Sequence, residues 1–363
     1  MTKKIAAKLF DGRDLFYFDD ATSALPNERK SDSRQAGVRP AVAQMRLDSL
    51  TGDWVSIAAA RQNRAFLPPA NLCPLCPTTA DNLSEVPDHF DVAVFENKSP
   101  SFGPALLDHD DAGYAVVPNL DLGSTRDSVG RCEVVVFSPE HTGSLGQLPV
   151  ERIRTVIEAW ADRTLALQGL PGVRQVFPFE NRGQEIGVTL HHPHGQIYSY
   201  PYVTPRTGKL LDSIAKFGHD LFEKTLAFEQ AGERVLIQGE HFTAYVPFAA
   251  RWPVEIHLLP HRHVQSLDQL ADAEKAELAI IYSRLLKALD DIYDSPLPYI
   301  SAWHQAPLVA GGENVRLQLQ ITSPKRAADK LKYLAGSESA MGAFIADAAP
   351  ETTAAMLREA LGK

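Results

Sequence analysis

E-V-V-V-F-S-P-E-H-T-G-S-L-G-Q-L, from Glu133 to Leu148, and E-I-H-L-L-P-H-R-H-V-Q-S-L-D-Q-L, from Glu255 to Leu270, align without a gap. Glu133 falls on Glu255, His141 on His263, and Leu148 on Leu270. In each copy an apolar strand passes through a turn into a stretch of helical periodicity, Val150 to Leu167 in the first. A further strand follows, Val173 to Phe179 in the first copy and Pro298 to Trp303 in the second. An alternating strand then closes each copy, Ile186 to Tyr200 and V-R-L-Q-L-Q-I from Val315. The shared order of elements points to an internal duplication rather than a chance likeness. The expected fold is α+β, with two fused halves, 1–209 and 210–363.

The copies differ where chemistry concentrates. Thr189 to Pro201 reads T-L-H-H-P-H-G-Q-I-Y-S-Y-P, whereas the second copy has Gln318 and Gln320 at the places of His192 and His194. Both copies keep the scaffold, and only the first keeps histidines fit to act as nucleophiles. Alternate side chains of an extended chain share a face, so His192, His194 and Gln196 are expected to point the same way. Pro193 stiffens the segment, and Gly195 lets a ligand or another backbone approach closely. Two imidazoles and an amide in a row can hold a metal, attack an electrophile and donate to its oxygen. The bland alternative is a polar edge strand with an incidental histidine cluster.

Cys73-Pro-Leu-Cys76 has the spacing at which two thiolates on one turn reach one ion. A redox pair would more often open a helix, and here the pair lies in a Pro-rich loop. A tetrahedral site needs two more ligands, for which His141 and His192 are the candidates. The expectation is a closed structural zinc site of Cys73, Cys76, His141 and His192, which positions His194 without acting as the Lewis acid. The alternative for His141 is an ordinary surface histidine. Cys132, inside a strand, reads as a core residue.

A net charge of −9 with no long basic run argues against nucleic acid or an anionic membrane as the partner. No segment has the length and apolarity of a signal peptide or a membrane span, and three cysteines make no disulfide framework, so a cytoplasmic protein is expected. The polar first forty residues, broken by Pro26, Gly37 and Pro40, read as an arm. Met45 to Ile57 reads as two strands around Thr51-Gly52-Asp53, Asn71 to Asp88 as loop, and Val92 to Asn97 as a strand. Lys98 to Arg131 reads as a long connection, and Leu210 to Glu229 as helix.

His192-Pro193-His194-Gly195-Gln196 resembles the active-site signature of galactose-1-phosphate uridylyltransferases, a branch of the histidine triad superfamily. The resemblance extends to the Cys73/Cys76 pair, V-F-E-N at Val94 to Asn97, S-P-E-H at Ser138 to His141, F-E-N-R-G at Phe179 to Gly183, and W-P-V-E and W-H at Trp252 and Trp303. It implies duplicated histidine-triad-like halves, each an antiparallel sheet (a half-barrel) with helices packed on one side, and a ping-pong transfer of UMP from UDP-glucose to galactose 1-phosphate, giving UDP-galactose, as in the Leloir pathway of galactose use. His194 would carry the uridylyl group, the His192 carbonyl would fix its tautomer, and Gln196 would donate to phosphoryl oxygens. Arg61 and Arg64 would contact phosphates from a neighbouring subunit, which implies a homodimer. Asn97, Asn181, Gly187 and Thr189 would line the nucleotide and its phosphates, and Lys332 and Glu338 would contact the hexose.

Many members of that family hold iron on a Glu and three His. Here His304 alone matches clearly, Gln318 and Gln320 stand at two ligand positions, and no Glu lies near Leu210, so no iron site is expected. His257, His261 and His263 fall outside the family's ligand positions and read as a surface cluster. Ser337 and Phe344 replace a common tyrosine and glutamine in the hexose-contacting stretch, which leaves sugar preference open. The competing functions are a related phosphorylase that moves AMP from ADP-glucose to phosphate, and a zinc-stabilised nucleotide-binding protein without turnover.

Overall fold

A computed structural model describes residues 2–35, 43–59, 62, 66–103, 122–293 and 295–362. The strands of the first half are β1 (Lys3–Lys8), β2 (Asp14–Asp19), β3 (Gln44–Leu47), β4 (Trp54–Ile57), β5 (Val92–Glu96), β6 (Thr125–Asp127), β7 (Arg131–Val136), β8 (Gln175–Arg182) and β9 (His194–Tyr200). Those of the second are β10 (Val235–Gln238), β11 (Phe242–Tyr245), β12 (Val254–Pro260), β13 (Tyr299–His304) and β14 (Gln318–Ser323). The helices are α1 (Val150–Gln168), α2 (Pro205–Phe217), α3 (Leu221–Gln230), α4 (Asp272–Asp291) and α5 (Pro350–Leu361). None of the helices among the described residues is long and apolar enough to cross a membrane.

Eleven strands make one continuous antiparallel sheet in the order β1-β2-β5-β7-β9-β8-β13-β14-β12-β11-β10. The halves therefore join edge to edge, with β8 and β13 as the central pair and Glu180 opposite Ser301. On either side of that pair the order mirrors: β8-β9-β7 in one half, β13-β14-β12 in the other. Strand β3 lies apart, between β4 and β6 in a three-stranded sheet, with the expected hairpin over 44–57.

One face of the large sheet is covered by α1 and α4. Trp160 of α1 packs on Phe137, Tyr282 and Trp303, all with ring centroids within 6.3 Å, and each is fully buried. Burying an aromatic or aliphatic side chain of this size stabilises the fold by about 1.5–3 kcal/mol, so these aromatics hold the two halves together where they meet. On the opposite face, α2 and α3 cover only the second half, through Ile214, Phe222 and Leu226 against Tyr245 and Leu259. Over the first half that face is covered partly by the segment with Cys73, Leu75, Val86 and Phe90, packed on Tyr17, Phe95 and Val136, and His194 and Gln196 lie on the same face.

Four expectations change. Residues 3–19 are not an arm: β1 and β2 extend the sheet, β2 pairs with β5, and Leu15, Tyr17 and Phe18 are buried. Exposed Lys3, Lys4 and Lys8 on the edge strand made the stretch look polar, a common way of blocking edge pairing. The helical stretch 210–229 is two helices, broken at Gly218, whose φ of 112° no helix continues. The first of these, α2, runs through position 209/210. The strand expected from Ile186 begins at His194, because a 3-10 turn at Gln184–Ile186 and left-handed Gly187 interrupt it.

The fourth change concerns the aligned glutamates. Glu133 faces α1, where Arg163 donates two hydrogen bonds to it (2.8 and 2.9 Å). Glu255 faces the opposite side of the sheet and accepts from His257 (2.9 Å). His257 pairs with Gln320 as Val136 pairs with His194, so the structural counterpart of Glu133 is Val254, one residue out of step. A one-residue slip in a strand reverses the face, so identity and geometry disagree here. The turn after the strand is in step: Ser144 and Ser266 share φ near −153° and each opens a 3-10 turn.

Candidate active site and metal centre

Cys73, Cys76, His141 and His192 present ligand atoms that all lie within 4.8 Å of one another. Cys73 Sγ is 3.7 Å and Cys76 Sγ 3.5 Å from His192 Nδ1, and Cys76 Sγ is 3.6 Å from His141 Nδ1. A tetrahedral ion with metal–sulfur bonds of about 2.3 Å and metal–nitrogen bonds of about 2.0 Å sets sulfur and nitrogen about 3.5 Å apart, so the donor set fits one such ion. The Cys76 thiol is pushed up to about 12 by burial and by its neighbour Cys73. Two thiols so placed resist ionising together unless a cation joins them. The His192 Nε2–H donates to the Ser138 carbonyl at 2.8 Å, which aims the Nδ1 lone pair at the sulfurs. Burial lowers its pKa to about 4, so the ring is neutral, as a ligand must be.

His192 therefore does not stand beside His194 on a strand. It precedes β9, and its carbonyl, 2.8 Å from His194 Nδ1, accepts that nitrogen's proton. With Nδ1 donating, Nε2 of His194 carries the lone pair. Burial lowers the pKa of His194 and keeps the imidazole neutral. His194 lies on a cavity of about 350 Å³ whose wall also includes Asn181, Gly183, Val188 and His191. Gln196 is on the same face of β9, half-buried, two residues beyond. Gly187 takes a φ of 83°, and the Thr189 carbonyl accepts from Leu67 N at 2.9 Å, so these two shape the loop that leads to the histidines.

Other expected residues lie apart. Asn97 accepts at Oδ1 from Ser99 N (2.9 Å) and is not on this cavity. Lys332 and Glu338, 3.4 Å apart and buried, belong to the surroundings of a smaller cavity of about 150 Å³ with Trp252, Ile300 and Tyr333. That cavity also touches Glu185 and Ile186, so both cavities flank the turn at 184–186. Phe344 packs its ring 6.4 Å from Trp252. Arg61 and Arg64 lie outside the described residues. Ser144, Gln147, Glu180 and Gln184 line the larger cavity and were missed. The duplicated turn and F-E-N-R-G held three of them, but a serine, a glutamine and a glutamate there read equally well as scaffold.

At the equivalent place in the second half, a chain of hydrogen bonds runs Arg206–Gln320–Gln318–His257–Glu255. Gln320 Nε2 donates to Gln318 Oε1 at 2.8 Å, and Gln318 Nε2 is 3.0 Å from His257 Nδ1. His257 is thus half-buried in this chain rather than part of a surface cluster. His261 bonds Thr243 and the Glu240 carbonyl, and His263 the Glu313 carbonyl, so the three histidines share no site. The donors that would meet an iron ion beside His304 are amides already bonded to each other, and the residues do not fit that group.

Comparison with known proteins agrees with this geometry. A family model for the N-terminal domain of galactose-1-phosphate uridyl transferase matches residues 34–204, and one for the C-terminal domain matches 207–361. A galactose-1-phosphate uridylyltransferase of Streptomyces lividans is 43% identical over 320 residues, 84% of this chain and 81% of that protein. A solved uridylyltransferase structure superposes with a TM-score of 0.74 at 31% identity, over 88% of this chain and 98% of that one. An ADP-glucose phosphorylase from Arabidopsis thaliana, solved with ADP-glucose, gives 0.64 at 25% identity, over 87% of this chain and 97% of that one.

Proposed function

The chain belongs to the galactose-1-phosphate uridylyltransferase family, and on that premise we propose that it moves UMP from UDP-glucose to galactose 1-phosphate through a covalent uridylyl-His194. The observation that carries the reading is the His194 Nδ1 to His192 carbonyl bond at 2.8 Å, which leaves the lone pair on Nε2 to act as the nucleophile. Nε2 attacks the α-phosphorus, the bond from that phosphorus to the bridging oxygen breaks, and glucose 1-phosphate leaves. Galactose 1-phosphate then attacks the same phosphorus, the phosphorus–nitrogen bond breaks, and the imidazole returns neutral. The Gln196 amide donates to the non-bridging oxygens as charge builds on them. Asn97, Asn181, Gly187 and Thr189 line the nucleotide and its phosphates, and Lys332 and Glu338 contact the hexose. Arg61 and Arg64 reach the phosphates from a second subunit, in a homodimer.

The four-residue donor set suits zinc, since two thiolates and two imidazoles in tetrahedral array are its common structural ligands. Cys73, Cys76, His141 and His192 would hold it, and it would act as a structural cross-link between the Cys73–Cys76 turn and the two histidine segments. The second half is proposed to hold no iron, because its amides satisfy each other.

Intact-mass analysis after incubation with UDP-glucose tests the reading. Wild-type protein should gain one uridylyl group, lose it on addition of galactose 1-phosphate, and gain nothing as His194→Gly. A gain of an adenylyl group from ADP-glucose, with none from UDP-glucose, would instead select the phosphorylase reading.

A further inference from the structure

In the second half a carboxylate and a guanidinium stand apart, joined by neutral groups. Glu255 is buried, and its one ion-pair partner among the described residues is His257. Arg206, in the first turn of α2, makes no ion pair among the described residues and donates to the side-chain carbonyl of Gln320. Between the two, every hydrogen bond runs in one direction. Gln320 Nε2 donates to Gln318 Oε1 (2.8 Å), and Gln318 Nε2 donates to His257 Nδ1 (3.0 Å), so that nitrogen carries no proton. His257 Nε2–H donates in turn to Glu255 Oε1 (2.9 Å). The other oxygen of Glu255 accepts from the backbone N–H groups of Arg251 and Trp252 (2.6 and 3.2 Å). Dipoles aligned head to tail in this way favour a positive charge at the donor end and a negative one at the acceptor end, and each bond polarises the next. The register sets His257 opposite Gln320 and His304 opposite Gln318, so the four side chains share one face of the sheet.

We infer that the Arg206 guanidinium is the resident cation of the second half: it stands in for a metal ion and balances Glu255 through the Gln320–Gln318–His257 chain. This role for Arg206 rests on the reading that the second half holds no iron, and it is independent of the group that His194 carries. The three imidazoles of an iron site would fall at 304, 318 and 320, and its Glu at Leu210. Leu210 lies one helical turn beyond Arg206, on the same face of α2. The helix therefore presents a positive group on the face where a metal site would need a negative one. A guanidinium there repels a divalent ion, so the two exclude each other. The glutamines suit a guanidinium as imidazoles do not, since each offers a carbonyl to accept from the cation side and an amide to donate onward. Burial, and then the nearby Arg206 guanidinium, lower the pKa of His304 to about 3, which keeps that ring neutral beside the chain.

Two experiments on the full-length protein test this role. The first is a double-mutant cycle read by thermal unfolding. Side chains that share no contact usually contribute additively, and three hydrogen-bonded side chains separate Arg206 from Glu255. Arg206→Met should nevertheless lower the melting temperature by about 2–4 °C, Arg206→Lys should keep most of the wild-type value, and Glu255→Gln should abolish the loss caused by Arg206→Met. Additive effects, or an unchanged melting temperature in Arg206→Met, overturn the proposal. The second experiment is metal content after incubation with ferrous iron under nitrogen and desalting. Wild type and Gln318→His/Gln320→His should both lack iron, because Arg206 remains. Adding Arg206→Glu to the two histidines should give about one iron per chain, counted apart from the zinc of the cysteine cluster. Iron in Gln318→His/Gln320→His, or none in the folded variant with Arg206→Glu, also overturns the proposal; should that variant not fold, the cycle decides by itself. Stoichiometric iron in the wild type overturns instead the reading of a metal-free second half, so the two failures read differently.

Discussion

Gly195, between the proposed nucleophile His194 and Gln196, has no space for a methyl group. A Cβ there would lie 2.8 Å from Phe137 Cζ and 2.9 Å from the Phe179 carbonyl. Phe137 is itself wedged against Trp160, so it has little freedom to yield. Gly195→Ala should cost about 1–3 kcal/mol of stability through overpacking, and a displacement of His194 by even 1 Å should lower turnover by about a hundredfold. Thermal unfolding and steady-state rates on the same preparation check both, and a wild-type rate would show that β9 tolerates the shift. At this scale the sequence spoke clearly for some residues and not for others. His194, His192 and the cysteines announced themselves because their side chains have few roles outside chemistry. Glu180 and Ser144, which line the cavity, did not, because a glutamate or serine serves the scaffold as readily as a site.

Among the elements, the metal cluster ties together pieces that share no strand pairing. Cys73 and Cys76 come from a turn, His141 from the segment after β7, and His192 from the loop before β9. Because the His192 carbonyl fixes the tautomer of His194, the loops and the nucleophile are coupled through one residue. Stripping the metal with a chelator should lower the melting temperature and abolish uridylylation, and zinc should restore both, since metal binding at such a site is folding free energy. Metal analysis should find about one zinc per chain and little iron; full activity in metal-free protein would remove the coupling. The spacing of Cys73 and Cys76 was legible because it is local. The faces of Glu133 and Glu255 were not, because a strand's face depends on a register that no single segment carries.

Across the whole molecule, the halves are duplicated in order but not independent in space. They share one sheet through β8 and β13, and one core in which Trp160 of the first half meets Tyr282 and Trp303 of the second. Glu180 itself depends on Tyr299 from the other half. A chain ending at Thr204 would expose the β8 edge and the Trp160 surface, so it should be insoluble alone and recover solubility when co-expressed with 205–363. Soluble, cooperatively unfolding separate halves would contradict this. The sequence by itself determined the duplication, the histidine proposed as nucleophile, and the residue types of the metal cluster, because periodicity, spacing and side-chain chemistry are local properties. Only the tertiary structure decided that the halves fuse into one sheet, that 3–19 belong to it, and that Glu180 of the first half meets Tyr299 of the second. Those outcomes depend on contacts between segments far apart in the chain, where burial and register are settled by the packing of the whole.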